Sequence, residues 1–400
     1  MLDDSRVRAD LLSRVRADTP GLAADPDLVF LDSAGSSLPP RVVLDTQFTH
    51  LRREAEIGGY RAAAERLDDL TGVKDAVAAL IGATPAEIAL SDSATRSWSD
   101  FFYSVPLRPG DRVLISGAEY AANAIAALRR AEQTGAVVER IPDDGDGQLD
   151  LDAMAAMMDE RVALVSLVHV PTNGGLVNPV AEATALAHAA GALVLLDACQ
   201  SAGQLPLEVT ELGVDALSAT GRKWLRGPRG TGFLYVRAES TAHLTPQRLD
   251  LHSALWTAPD AYRLAPDATR WEFWEHDVAA RLGLGAAVRY LLELGPEQVY
   301  AAVAERAGHL RAALAELPRV TVRDKGVRRG GIVSFTVEGL EATRVRDLLA
   351  AENITVTVSF ASSTLLDMTA RGLPAVVRAS PHCFVSHDEL DRFVRAVAAL

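Results

Sequence analysis

Five short apolar runs, set apart by longer stretches of helical character, constrain this chain's fold more than any other feature. They lie at residues 113–116, 137–141, 162–168, 193–196 and 233–236. Runs of this length, rich in Val, Leu and Ile, read as buried strands. Helical stretches at 120–132 and 180–190 lie between the earlier ones. This alternation predicts an α/β fold with a mostly parallel sheet and helices on both faces. With 400 residues the chain is long enough for two domains. An Ala/Leu-rich helical pattern at 277–294 precedes a mixed region. There the sequence predicts a helix at 296–317, strands at 320–324 and 331–337, a helix at 341–352 and a strand at 354–359. A capping box, Ser386 with Glu389, opens a last helix. The repeat Arg-Val-Arg-Ala-Asp at 6–10 and 14–18 fits one amphipathic helix.

Residues suited to chemistry collect at the ends of these runs. Lys223 follows Thr220-Gly-Arg222 and precedes a loop with Gly227, Gly230 and Gly232. Those glycines let the backbone turn tightly and approach a ligand. Thr220 and Arg222 bring a hydroxyl and a guanidinium that suit a phosphate. A lysine in that setting can anchor pyridoxal 5'-phosphate (PLP) as a Schiff base. Taken alone, it reads better as a surface lysine in a glycine-rich loop. The run 193–196 changes that balance, because it ends in Asp197 with Gln200 three residues on. An acid at the carboxyl end of a buried strand faces the crevice where α/β sheets bind ligands. PLP requires a carboxylate against its pyridine nitrogen. A single Asp there could simply cap a helix, but Asp197, Gln200 and Lys223 together favour the cofactor. A third segment, Val168-His-Val-Pro-Thr-Asn-Gly-Gly-Leu-Val-Asn-Pro179, also follows an apolar run.

In order and spacing, these three segments resemble the class V aminotransferase family of fold-type I PLP enzymes. Cysteine desulfurases, kynureninase and isopenicillin epimerase belong to it, and the resemblance runs from about residue 31 to the C-terminus. It implies a large PLP-binding domain, 22–275, with a mostly parallel seven-stranded sheet. Residues 1–21 and 276–400 would form a smaller α+β domain. It implies that Lys223 anchors PLP and moves protons, that Asp197 pairs with the ring nitrogen, and that Gln200 bonds near the phenolic oxygen. Thr220 and Arg222 would hold the phosphate, Arg222 standing where many relatives have His. Ser93, Ala94 and Thr95 match the loop that opens a helix under the phosphate. Thr172 or its neighbour Asn173 would address the phenolic oxygen. Tyr120 matches the aromatic that stacks on the ring, although an ordinary half-buried tyrosine is an even alternative. Arg378, behind two valines, matches the arginine that grips the substrate carboxylate. The family also implies a homodimer, with Arg270-Trp-Glu-Phe-Trp-Glu-His-Asp277 meeting the partner's site. Trp274 and Glu275 would then contribute to substrate binding, in a pocket reshaped for a larger or cationic substrate.

The departures bear on the reaction. Desulfurases carry a mobile-loop cysteine, whereas the corresponding loop here, 360–373, has none. Cys199 reads as a buried packing residue. Cys383 reads as the one thiol able to approach a substrate. The Lys223 loop and the Trp-Glu segment look most like a sub-branch with the ergothioneine-pathway C–S lyase and lincosamide-pathway PLP enzymes. The expected reaction is β-elimination from a cysteine S-conjugate in secondary metabolism. Decarboxylative oxidative deamination, epimerisation and transamination use the same residues, and a PLP-free binding module would have lost Lys223 or Asp197. The expected partner is thus a small-molecule amino-acid substrate. A net charge of −13 argues against nucleic acid and anionic membranes. Two cysteines give no disulfide framework. No run is long enough to span a membrane and the start lacks a signal peptide's apolar run, so a cytoplasmic location and no metal are expected.

Overall fold

The computed structural model describes residues 2–400, and for residues 2–9 only the course of the backbone. Its central sheet has seven strands: β1 (Ile88–Ser91), β2 (Arg112–Ile115), β3 (Val137–Arg140), β4 (Val162–Val168), β5 (Leu193–Asp197), β6 (Ala216–Thr220) and β7 (Gly232–Val236). Their order is β1-β7-β6-β5-β4-β2-β3. Only β7 runs against its neighbours; the pairings from β6 across to β3 are parallel. This is the mostly parallel α/β sheet expected from the alternating pattern. Parallel strands covered on both faces read as continuous apolar runs, and β5 does so from Leu193 to Leu196, with only Leu193 short of full burial. The sequence pattern missed β6, Ala-Leu-Ser-Ala-Thr, whose small and polar residues form no apolar run. It is a strand because β5 and β7 pair with both its edges, burying all five residues.

A hairpin, β8 (Ala254–Ala258) with β9 (Ala261–Leu264), leaves the central unit after β7. A second, antiparallel sheet has β10 (Val320–Val322), β11 (Val333–Val337), β12 (Thr357–Phe360) and β13 (Ala375–Ala379), in the order β10-β11-β13-β12. The single strand expected at 354–359 is two pieces. Ile354–Thr355 pairs with Val29–Phe30, and β12 pairs with β13. Two different edges capture the two halves.

Four helices matter for the site: α1 (Ala94–Ser104), α2 (Ala121–Thr134), α3 (Val278–Leu294) and α4 (Leu365–Ala370). In α1, Trp98 and Phe102 stack at 4.6 Å and are buried against the sheet. Asp277 caps α3 by accepting from Ala280 N–H at 2.8 Å. Gly283 lets α3 approach its neighbours, since a Cβ there would lie 2.8 Å from Pro228 and 2.9 Å from Gln47. Both Arg-Val-Arg-Ala-Asp repeats begin in one helix, Leu2–Ala17. Leu11 and Val15 are its buried residues, while the side chains of 6–9 lie outside the described residues. Arg16 ties this helix to the last one, His387–Ala398, through Glu389 at 2.8 Å. That last helix carries the expected capping box. Among the described residues, no helix is long and apolar enough to cross a membrane.

Candidate active site

A cavity of about 180 Å³ opens at the carboxyl ends of β4, β5 and β6. Lys223, Asp197, Gln200, Thr220, Arg222, Thr172, Tyr120, Ser93, Ala94 and Thr95 all line it. The parallel strands explain the convergence: each carries its last residue to the same edge of the sheet.

Lys223 and Asp197 are both buried. Asp197 Oδ1 accepts from Cys199 N–H at 2.9 Å, and Oδ2 accepts from Asn123 Nδ2 at 2.9 Å. Burial pushes the Asp197 carboxyl up, against the Cys199 N–H, the Lys223 charge and the Asn123 amide. Lys223 sits on the loop between β6 and β7. That loop is anchored by Arg226, which takes the left-handed conformation at φ 61°. Arg226 donates to Leu38 O at 2.8 Å and Thr19 Oγ1 at 2.6 Å, beneath the Phe384 ring.

At the other wall, Ser93 caps α1 by accepting from Arg96 N–H. The N–H groups of Ala94 and Thr95 belong to the first turn, which lacks intrahelical partners and attracts anions. Gly232 makes this wall close-packed, since a Cβ there would lie 2.8 Å from Ser93 backbone. Thr220 Oγ1 donates to Thr231 O at 3.2 Å. Arg222 donates one arm to Gly35 O.

Thr172 and Asn173 part company. Thr172 Oγ1 lines the cavity and accepts from Gln200 Nε2 at 3.3 Å and from Arg378 at 2.8 Å. Asn173 turns away and donates to Asp367 on α4 at 2.7 Å, so it does not line the cavity. The two residues lie in a turn, where Gln200 and Arg378 hold one side chain and Asp367 holds the other. Arg378, on β13, is buried and bonds Thr172 O at 2.9 Å and Asp32 at 3.3 Å. Its Nε is buried without a partner.

Trp274 is 49% exposed and lies outside the cavity. Glu275 lines a neighbouring cavity of about 390 Å³, with Arg96, His276 and Arg281. Asp92 and Gly230 border both cavities.

The two thiols are placed opposite to expectation. Cys383 is fully buried beside His382 and does not line the main cavity. Cys199 lines the main cavity, with Sγ 3.3 Å from Lys223 Nζ. Because Asp197 faces the cavity and accepts from the Cys199 backbone, Cys199 follows it there. The sequence reading also passed over Arg229, whose place in the glycine-rich loop was the available signal. The loop expected at 360–373 is instead largely helical. Asp367 of α4 is held by Lys325 at 2.9 Å, Arg371 at 3.1 Å and Asn173.

A family model described as aminotransferase class-V matches residues 29–393. The chain is 32% identical over 410 residues to a probable cysteine desulfurase 2 of Mycobacterium leprae, covering 96% of each. Among solved structures it is similar to an apo cysteine desulfurase from Thermococcus onnurineus, with a TM-score of 0.87, 26% identity and 97% of each chain covered. It is also similar to a complex of the cystine C–S lyase C-DES with its product cysteine persulfide, with a TM-score of 0.85 and 25% identity over 95% of this chain and 99% of that one.

Proposed function

The chain belongs to the class V aminotransferase family, and from that premise we propose that it is a PLP-dependent lyase that cleaves the C–S bond of a cysteine S-conjugate by β-elimination. Its residues fit PLP. A buried amine and a buried carboxyl share one cavity with an open helix N-terminus, a hydroxyl and a guanidinium. Lys223 would hold the cofactor, Asp197 its ring nitrogen, and Ser93, Ala94, Thr95, Thr220 and Arg222 its phosphate. Tyr120 would lie against the ring, and Gln200 with Thr172 would address its phenolic oxygen. When bound, PLP supplies the electron sink for negative charge at the substrate Cα.

The chain's own residues do the rest. Arg378 does not itself line the cavity, but through its bond to the cavity residue Thr172 it is the arginine that would orient the substrate carboxylate. Lys223 Nζ takes the Cα proton and can return a proton to the departing sulfur. Hydrolysis by one water of the enamine left after elimination completes the reaction, and the products are a thiol, pyruvate and ammonia.

One observation carries the choice of elimination over sulfur transfer. The segment where desulfurases keep their mobile cysteine has none, and Asp367 pins it as a helix. The competing reading rests on Cys199 beside Lys223. Its thiol is pushed up by burial, and its backbone is bound to Asp197, so it lacks both thiolate character and reach. Incubation with cysteine S-conjugates, assaying thiol, pyruvate, persulfide, CO₂ and aldehyde, tests the proposal. Thiol and pyruvate in equal amounts are expected. Persulfide with alanine, or CO₂ with aldehyde, would overturn it.

We also propose a homodimer. The hairpin β8–β9 supports it, with Trp256 and its cross-strand partner Tyr262 both exposed. Asp250 just before the hairpin accepts from Trp274 N–H at 2.7 Å, so the exposed Trp274 is tied to the same region.

A further inference from the structure

Behind Asp197 lies a second carboxyl that the proposed chemistry does not use. Glu119 is buried at 3% exposure, just before the cavity residue Tyr120. Asn123 Nδ2 donates to Glu119 Oε1 and to Asp197 Oδ2, each at 2.9 Å. One amide therefore spans two carboxyls, one N–H to each. Glu119 Oε1 also accepts from Tyr120 N–H at 2.9 Å, and Oε2 lies 2.9 Å from Ser166 Oγ.

Of two buried carboxyls bridged by one amide, a negative charge on the first disfavours ionisation of the second near neutral pH. Asp197 has the Lys223 charge beside it, the Cys199 N–H, and the open cavity. Glu119 has an amide, a backbone N–H and a hydroxyl, none of them cationic. The Ser166 hydroxyl can accept a hydrogen bond from a protonated carboxyl as well as donate one to a carboxylate.

We propose that Glu119 is a positioning residue: an uncharged carboxyl that orients Asp197 through Asn123 and seats Tyr120, leaving Asp197 as the member of the pair that carries charge. This rests on the reading that the cavity holds PLP. Burial pushes the Glu119 carboxyl up to about 8, with Asp197 adding to the rise. The charged group facing Glu119 is Asp197 from β5, and Tyr120 meets it through its backbone N–H. β4 contributes only the Ser166 hydroxyl and α2 only the Asn123 amide.

The test is PLP uptake by the apoprotein, followed by absorbance from about pH 6 to about pH 9.5. Wild type, Glu119→Gln and Asn123→Ala are compared. Glu119→Gln keeps the shape and neutrality, so its PLP affinity should stay within about twofold of wild type up to pH 7. Above about 8 wild type has the Glu119 carboxyl left to ionise and Glu119→Gln does not, so wild-type affinity should fall below that of Glu119→Gln. Asn123→Ala leaves Asp197 without its amide, and its affinity should drop about tenfold or more at every pH. A tenfold loss in Glu119→Gln at neutral pH would show a charged Glu119 and overturn the proposal. Unchanged affinity in Asn123→Ala would overturn it as well. Wild type that takes up no PLP would instead overturn the cofactor reading beneath it.

Discussion

Cys199 and Lys223 are 24 residues apart in sequence and 3.3 Å apart at Sγ and Nζ. A thiol so close to the proposed base invites a catalytic role, and its environment argues against one. Burial raises its pKa, and its backbone N–H is committed to Asp197. Cys199→Ser should therefore retain turnover of a cysteine S-conjugate within a few-fold, measured as thiol release. A loss of about a hundredfold or more, on the scale of a missing acid or base, with PLP still bound, would bring back sulfur transfer. Asp197→Ala should behave differently. Without the carboxylate, nothing at this position pairs with the ring nitrogen, so PLP should bind poorly and turnover should fall with it. Spectroscopic titration and thiol release measure both, and near-normal turnover would refute the assignment.

At the scale of elements, the segment after β9 shows what a charged residue does when three elements share it. Glu272 lies in the segment 270–277, which the family resemblance places against the partner's site. It is instead a buried junction. Lys74 reaches it at 2.6 Å from the helix Leu67–Ile81, Arg281 at 3.0 Å from α3, and His252 at 3.6 Å from the approach to the hairpin. Burial alone would raise the Glu272 carboxyl; these partners outweigh it and hold the group at about 2. The folded pKa is depressed, so the contribution to stability is complete above the ordinary carboxylate range. It is lost as pH falls from about 4.5 toward about 2. Glu272→Ala leaves two half-buried cations, Lys74 and Arg281, without their carboxylate and should lower unfolding stability by about 1.5–3 kcal/mol. Denaturant titration at neutral pH measures this, and the gap from wild type should close on acidification. A loss below about 1 kcal/mol, the value of an exposed pair, would mean that the junction is solvated.

At the scale of the molecule, the hairpin is the feature that a lone chain leaves unexplained. Two-stranded hairpins are marginal in water by themselves, and this one exposes Leu255, Trp256 and Tyr262. Trp256, at 76% exposure, offers the largest apolar ring of the hairpin to solvent. Burial of these side chains by a second copy accounts for a sequence that is otherwise costly to keep. Sedimentation should give a dimer for the wild type, and Trp256→Asp should shift it toward monomer. A monomeric wild type with full turnover would contradict the assembly.

The sequence by itself determined the parallel sheet and the cavity's principal residues. Buried parallel strands are written as apolar runs, and whatever follows such a run arrives at the ligand edge. That logic located Asp197, Gln200 and the Lys223 loop. It failed at β6, where pairing on both edges makes a strand from Ala, Leu, Ser and Thr. Only the tertiary structure decided which neighbours face inward. Thr172 enters the cavity while Asn173 goes to Asp367, 194 residues away. Cys199 enters and Cys383 does not. Arg378 meets Thr172 across 206 residues, and Asn123 joins Glu119 to Asp197 across 74. The direction of a side chain is set by the partners that desolvation forces upon it. Those partners come from distant elements, which only the folded packing brings together.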